Sequence, residues 1–195
     1  MSVVRADTKE IDRVASLIAV AFEPLPASAW LVPEPAERRR LLKADFKIFV
    51  EHAVEFGHID LVDDYAAAVW FHHDSAEELP PPPDYDERLI FAVGKHLKRF
   101  RALDDAFDTN HPHGIVHHHL AFLAVHPDRQ NEGLGTELMA RHHRTLDEYG
   151  TPAYLEASSE RARDLYLRNG YRPHGEPFYL PGGPPFWPMW RDPAR

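Results

Sequence analysis

Apolar residues recur every three or four positions in three long stretches of this chain. That spacing places them on one face of a helix. It predicts helices over residues 11–22, from about residue 36 to residue 57, and from residue 86 to about residue 107. Residues 24–35, between the first two, begin and end with proline, which lacks the backbone donor that a helix interior needs, so we expect a loop there. Each helix would bury its apolar face against a sheet.

Shorter runs that are apolar throughout, or that alternate apolar with polar residues, predict β-strands. Pro188 restricts the last of them to a sheet edge or a bulge. The interleaving of strands with helices predicts a mixed α/β fold. The strands are expected at residues 3–6, 58–62, 65–71, 117–125, 153–158 and 186–191.

Length and composition limit the number of domains, the classes of partner and the chemistry that the chain can have. With 195 residues, 44% of them hydrophobic, the chain can bury one core, so we expect a single domain over residues 1–195. The formal net charge of −9 argues against nucleic acid, which needs a basic surface, and suits a cationic amine. The chain contains no cysteine, which excludes disulfides and thiol nucleophiles. Without an apolar run of roughly 20 residues we expect a cytoplasmic protein, and the preference for arginine over lysine suggests a bacterial one.

The most informative stretch begins with the strand that ends at Val125. A turn at residues 126–128 follows, then a loop that contains Gly133 and Gly135, and then an amphipathic helix. The first amides of a helix lack intrahelical acceptors, and the helix dipole adds positive potential there. Glycine lets an anion approach such a backbone closely. The stretch therefore favours a pyrophosphate site, although glycines at a helix start are more often plain turn residues.

Two motifs around this loop resemble those of the GNAT superfamily of N-acetyltransferases. The pattern Gln130-x-x-Gly133-x-Gly135, after a strand that ends in Val-His-Pro-Asp, is similar to the acetyl-CoA motif of the family. Further along, residues 159–171 resemble its closing N-x-x-A-x-x-L-Y-x-x-x-G-F/Y pattern. The similarity is densest over residues 117–172, and the flanks look like the puromycin N-acetyltransferase branch.

The resemblance implies one GNAT-type domain with a central, mostly antiparallel sheet, a splayed pair of parallel strands and flanking helices. It also implies acetyl-CoA as the cofactor, with pantetheine paired to the strand, pyrophosphate on the loop, and the Val125 amide polarising the acetyl carbonyl. Asn131 and Glu132 replace a glycine and a basic residue, and the charge of Glu132 would weaken cofactor binding. The predicted cofactor-binding residues are Leu123, Val125, Gln130, Asn131, Glu132, Gly133, Leu134, Gly135, Thr136 and Ser159, the last standing where an asparagine is common.

By the same resemblance, Tyr166 occupies the position of the general acid that protonates the departing thiolate. The general base stays open between two residues. His119 matches a histidine that relays a proton through water in the arylalkylamine branch, but Ala121 stands where that branch has a second histidine. Glu156 is the alternative, and its side chain would point either into the acceptor cavity or into a structural hydrogen-bond network. The acceptor pocket implied by the resemblance would include Phe22, Trp30 and Trp70, which favour an aromatic or bulky amine.

The abundance of histidine raises the question of a metal site. His117 and His119 would share one strand face, with His111 or His113 nearby. Because no carboxylate lies at a convincing ligand spacing and cysteine is absent, we predict no metal site. The neighbours His142 and His143 lie on a helix, face different directions and are expected at the surface.

These features predict an acetyl-CoA-dependent N-acetyltransferase that moves an acetyl group to the primary amine of a small molecule, with antibiotics and xenobiotics among the candidates. Two alternatives stay open: acetylation of a protein N-terminus or lysine, and a non-catalytic acyl-CoA-binding sensor, for which Glu132 and Ala121 are the arguments. The expected partner is a small-molecule amine, without nucleic acid or membrane, and the protein would be a monomer or a homodimer.

Overall fold

The computed structural model describes residues 3–74 and 78–194. The strands in this part of the chain are β1 (Val4–Arg5), β2 (Gly57–Val62), β3 (Ala66–His73), β4 (His117–Val125), β5 (Ala153–Ala157), β6 (Arg172–Pro173), β7 (Phe178–Tyr179) and β8 (Pro185–Arg191). The α-helices are α1 (Ile11–Phe22), α2 (Pro26–Leu31), α3 (Pro35–Phe56), α4 (Tyr85–Val93), α5 (Leu97–Asn110), α6 (Leu134–Tyr149) and α7 (Glu160–Arg168). The predicted mixed α/β class is confirmed. No helix within these described ranges is both long and apolar enough to span a membrane.

One sheet joins the strands in the order β1, β2, β3, β4, β5, β8, β6, and β7 pairs with β8 outside that path. Neighbouring strands are antiparallel except β4 and β5. Within the described residues this parallel pair is held only by His118 opposite Ala153 and by His119 opposite Tyr154. Both strands continue beyond that point and diverge. The predicted splayed pair in a mostly antiparallel sheet is therefore confirmed.

A β-bulge interrupts β4 just where it leaves β5. Val69 of β3 faces Phe122, but the next residue, Trp70, faces Leu120, so Ala121 is one residue more than the partner strand has. As a consequence Ala121 and Phe122 both pack on the same side of the sheet, against the core of α1 and α3.

Helices cover both faces of the sheet. On one face, α1, α3 and α4 pack through a core that includes Ile18, Leu42 and Leu89. On the other, α6 and α7 pack through a core that includes Leu138 and Tyr166. This burial of apolar faces is what the helical spacing predicts.

Two helix boundaries differ from the sequence prediction. Residues 24–35 are not a continuous loop, because Pro26 and Pro35 occupy first-turn positions of α2 and α3, where the missing proline N–H has no intrahelical acceptor to lose. The helix expected over residues 86–107 is broken: α4 ends at Val93, a 3₁₀ turn spans Gly94–His96, and α5 follows. Gly94 has φ +51°, a conformation that an L-residue side chain disfavours, so glycine permits the break.

The expectation that His142 and His143 lie at the surface is wrong. The two residues are only 5% and 6% exposed. The His142 ring lies 4.4 Å from that of Trp70 on the sheet, and Nε2 of His143 lies 3.1 Å from the hydroxyl of Tyr171. Helix α6 is enclosed both by the sheet and by the segment after α7, so adjacent positions about 100° apart on the helix are both buried.

Candidate active site

The divergence of β4 from β5 opens a cleft of about 450 Å³. One wall is β4 and the other is α7, while α1 and the loop before α6 close its ends. All the predicted cofactor-binding residues line this cleft except Glu132, and so do Phe22 and Tyr166. The residues that line it are Ala21, Phe22, Leu25, Leu123, Val125, Arg129, Gln130, Asn131, Gly133, Leu134, Gly135, Thr136, Ser158, Ser159, Arg161, Ala162, Leu165, Tyr166 and Arg168.

The backbone of β4 presents amide groups to the cleft. The His126 amide donates to the carbonyl of Tyr65, on the β3 side, over 2.7 Å. Successive amides of an extended strand point to opposite sides. The amides of Val125 and Leu123 therefore point toward the β5 side, where the strands have separated.

The loop between β4 and α6 has two residues in the left-handed region, Asn131 at φ +68° and Gly133 at φ +84°. Asparagine and glycine tolerate this region best, which explains both residue types. Gly133 is the N-cap of α6 and provides no side-chain cap. Because the first amide bonded within the helix is that of Glu137, to the Gly133 carbonyl over 3.0 Å, the amides of residues 134–136 have no acceptor inside the helix.

The sequence predicted that the negative charge of Glu132 would weaken cofactor binding at this loop, but the structure pairs Glu132 with a basic residue. The Glu132 carboxylate accepts a hydrogen bond from Nε of Arg129 over 2.7 Å. The Arg129 guanidinium also lies 4.5 Å from the ring centre of Tyr65, which holds it in place. The negative charge of Glu132 is thus neutralised locally, and its predicted weakening of an anion site is reduced.

Arg161 and Arg168 also line the cleft, and sequence analysis did not single them out. Nη2 of Arg161 donates to Oδ1 of Asn131 over 3.0 Å, which places a guanidinium beside the loop. The two arginines are seven positions apart on α7 and therefore share a helix face. The seven-residue spacing is visible in the sequence. It indicates an anion site only because α7 faces the loop in the folded protein.

Tyr166 lies on α7, is 8% exposed and lines the cleft. Burial, together with the nearby negative charge of Glu156, raises the pKa of the Tyr166 phenol, which stays protonated at neutral pH. Ser159 is the N-cap of α7, and its hydroxyl oxygen accepts from the Ala162 amide over 3.1 Å. Ser159 thus fixes the start of the helix that carries Tyr166.

His119 and Glu156, the two candidate bases, are brought together by the pairing of β4 with β5. Nε2 of His119 lies 2.8 Å from Oε2 of Glu156. The Glu156 side chain is 2% exposed and that of His119 is 13% exposed. Burial alone would raise the pKa of Glu156, but the charge interaction with His119 and contacts with His111 outweigh it and lower the pKa. The carboxylate is therefore ionised.

The three aromatic residues expected in an acceptor pocket lie in different places. Phe22 lines the cleft and packs edge-on against Phe46. Trp30 lies on α2, where its indole Nε1 donates to the carbonyl of Pro181 over 3.3 Å. Trp70 is fully buried beneath α6, so the expectation that it contacts an acceptor is wrong. Its side of β3 faces the helix because residues alternate along a strand.

Comparison with known proteins agrees with this architecture. The family model for the acetyltransferase (GNAT) domain matches residues 93–173, from the end of α4 to β6. The chain is 26% identical to a structure from Corynebacterium glutamicum described as histone acetyltransferase HPA2 and related acetyltransferase. The match covers 100% of this chain and 97% of that one, with a TM-score of 0.72.

Two further structures share the fold. One is the polyamine N-acetyltransferase of Drosophila melanogaster, described as catalysing the formation of N-acetylagmatine; it is 20% identical over 98% of this chain and 99% of that one, with a TM-score of 0.59. The other is the PaiA N-acetyltransferase of Thermoplasma acidophilum in complex with coenzyme A, 9% identical over 98% and 99%, also with a TM-score of 0.59. The family-model match over residues 93–173 and the shared fold support the enzyme class, an N-acetyltransferase of the GNAT type. This fold uses acetyl-CoA as its acyl donor.

Proposed function

We propose that this protein transfers the acetyl group of acetyl-CoA to the primary amine of a small molecule by direct nucleophilic attack. The observation that carries the proposal is the cleft between the splayed strands, which ends at the uncapped start of α6. We further propose that residues 1–195 act as one N-acetyltransferase domain, and that the protein is bacterial, cytoplasmic and either monomeric or homodimeric.

The cleft suits two parts of acetyl-CoA, the pyrophosphate and the pantetheine arm. The amides of residues 134–136 and the guanidinium groups of Arg161 and Arg168 would bind the pyrophosphate, which carries negative charge. The amides of Leu123 and Val125 would pair with the pantetheine arm along the strand edge. The residues that carry these groups all line the cleft, which supports this assignment.

The chemistry needs three functions from the protein. Acetyl-CoA supplies the thioester, and the amide of Val125 would donate to the oxygen on which negative charge develops. Tyr166, protonated and buried, would give its proton to the departing sulfur. The amine nitrogen bonds to the carbonyl carbon as the carbon–sulfur bond breaks, so one proton must also leave the nitrogen.

We propose that His119 accepts this proton and that Glu156 orients the His119 ring. An ionised carboxylate only accepts hydrogen bonds, so Nε2 of His119 must carry the hydrogen of their 2.8 Å contact. The other ring nitrogen, Nδ1, is then free to accept a proton. His119 is also the more exposed of the two, which suits transfer through water.

The acceptor is proposed to be a small amine, in agreement with the overall charge of −9 and with the amine substrates named for the Drosophila neighbour. Phe22 would form an apolar wall, and Trp30 remains a candidate on the adjoining α2. The finer resemblance, to the puromycin N-acetyltransferase branch, stays a prediction. A second candidate is a protein N-terminus or lysine, favoured by the name of the Corynebacterium neighbour.

Calorimetric titration with acetyl-CoA in chelator-treated buffer, followed by thiol release against agmatine, spermidine, puromycin and a lysine-containing peptide, tests this function. We expect saturable binding and turnover with at least one small amine. Turnover with the peptide alone would favour the second candidate, and binding without turnover would favour a sensor. Absence of acetyl-CoA binding would contradict the assignment of the cleft.

Replacing Arg161 with alanine should weaken acetyl-CoA binding about 5- to 20-fold, because a charge-assisted contact to phosphate contributes about 1–2 kcal/mol. The weakening should shrink as salt concentration rises. Arg144→Ala is the matched control, since Arg144 is exposed on α6 and does not line the cleft. Equal dissociation constants for the two variants would remove Arg161 from the site.

Tyr166→Phe keeps the ring and removes the acidic proton. We expect kcat to fall about 10²- to 10³-fold, while the Kd for acetyl-CoA changes by less than about twofold, because the loss concerns a proton transfer and not ground-state contacts. Tyr149→Phe, on an exposed residue of α6, is the control. Unchanged turnover in Tyr166→Phe would exclude this residue as the general acid.

His119→Ala should lower kcat by about 10- to 100-fold at pH values below the pKa of the acceptor amine, where a proton must be removed before attack. The deficit should narrow as the pH approaches the pKa of the amine. Thiol release measured across this pH range, with the exposed His113→Ala as control, provides the comparison. A profile identical to that of the parent would transfer the role to Glu156, and a constant fractional loss would indicate packing alone.

A further inference from the structure

Four imidazole rings surround the carboxylate of Glu156, and we call this group the imidazole cluster. They belong to His73 at the end of β3, His111 directly after α5, and His117 and His119 on β4. The ring of His111 lies 4.5 Å from that of His73 and 4.9 Å from that of His119, between ring centres. Two strands and the end of a helix thus converge on one carboxylate, which a third strand carries.

The hydrogen bonds in this cluster fix where the protons lie. Nδ1 of His117 contacts the carbonyl of Ile115 over 2.7 Å and must donate, because a carbonyl only accepts. With both rings neutral, as their burial favours, Nε2 of His117 then accepts from Nε2 of His111 over 3.1 Å. Nδ1 of His111 is left with a lone pair, and it faces Oε1 of Glu156 at 3.9 Å.

Nδ1 of His111 and Oε1 of Glu156 are therefore close but too far apart for a hydrogen bond, in a place that water scarcely reaches. The Glu156 side chain is 2% exposed, and its Oε1 has no hydrogen-bond partner among the described residues. Nε2 of His73 likewise has no partner in the part of the chain that the structure describes. Leaving a buried carboxylate oxygen unpartnered is costly, so a positively charged guest would be stabilised here.

We propose that the imidazole cluster binds a zinc-class transition metal ion through His73, His111 and His119. One ring nitrogen from each of these residues lies within 4.8 Å of the other two. Tetrahedral zinc with bonds of about 2.1 Å separates its ligands by about 3.4 Å, so small side-chain rotations would close the site. Imidazole nitrogens suit zinc, copper and nickel, and Glu156 supplies the negative charge beside them.

The sequence analysis predicted no metal site, because no carboxylate lies near the histidines in the sequence at a spacing typical of metal ligands. The carboxylate comes instead from the neighbouring parallel strand, 37 positions after His119. That contact depends on strand register, which no local motif reveals.

An ion bound to Nδ1 of His119 would occupy the nitrogen that proton removal needs, so the metal-bound protein would be inactive in acetyl transfer. This consequence rests on the proposed function, whereas metal binding itself does not. Metal occupancy would then control how much of the protein can acetylate its acceptor.

Zinc titration of the chelator-stripped, dialysed protein in a calorimeter, without acetyl-CoA or amine, tests the binding. We expect one zinc ion per chain for the parent. His73→Gln should bind zinc at least about 10-fold more weakly, while His113→Gln, an exposed histidine whose Nε2 contacts the Asp108 carbonyl, should bind like the parent. His73→Gln should keep the parent affinity for acetyl-CoA in chelator, which establishes that it is folded.

Absence of zinc binding by the parent would overturn the proposal, and so would equal affinity in His73→Gln. A second group of possible ligand atoms, from His58, Asp60 and His142, is buried elsewhere in the fold. Zinc binding that is lost in Asp60→Asn and retained in His73→Gln would assign the ion to that group and overturn the proposal. Thiol release with added zinc tests the inhibition separately: full activity at saturating zinc would overturn the inhibition and leave the binding result standing.

Discussion

The early separation of β4 from β5 is the constraint on which the rest of the structure depends. Two strands that stay paired satisfy each other's backbone groups, and here pairing ends after two residue pairs. The amides of Leu123 and Val125 are left facing an opening. Backbone groups without a hydrogen-bond partner cost free energy when they are shielded from water. The opening therefore favours a ligand that supplies amides and carbonyls of its own. The pantetheine arm of acetyl-CoA has that chemistry.

Packing on either side keeps the strands apart. Helix α6 begins close to β4, and a β-carbon on Gly135 would lie 3.4 Å from Cδ2 of Leu123. Helix α7 begins at the Ser159 cap and carries Tyr166 into the same cleft. The start of α6 and one face of α7 therefore border the cleft. In the proposed function, the first would bind the anionic part of the cofactor and the second would supply arginines and a phenol.

Local motifs predicted the parts of the site that are built from consecutive residues. The loop from Gln130 to Thr136 follows from its glycines and from the strand before it, and the structure places it at the cleft. Burial on two sides could not be predicted, which is why His142 was expected at the surface and Trp70 in a pocket. The contact of His119 with Glu156 likewise depends on how β4 and β5 register, and register across a parallel pair is set by the whole sheet.

The absence of a second histidine at Ala121 was an argument from the sequence for a non-catalytic protein. The bulge at this residue changes how that argument is weighed. In the arylalkylamine branch a second histidine stands at this position on the same strand, and here the position is the extra residue of the bulge. An imidazole there would point into the core of α1 and α3, where Ala121 packs. In the proposed mechanism His119 instead takes its partner from β5, through Glu156, and the neighbouring imidazole comes from the end of α5. Proton transfer would then run across the sheet and not along one strand, so the alanine does not by itself argue against catalysis.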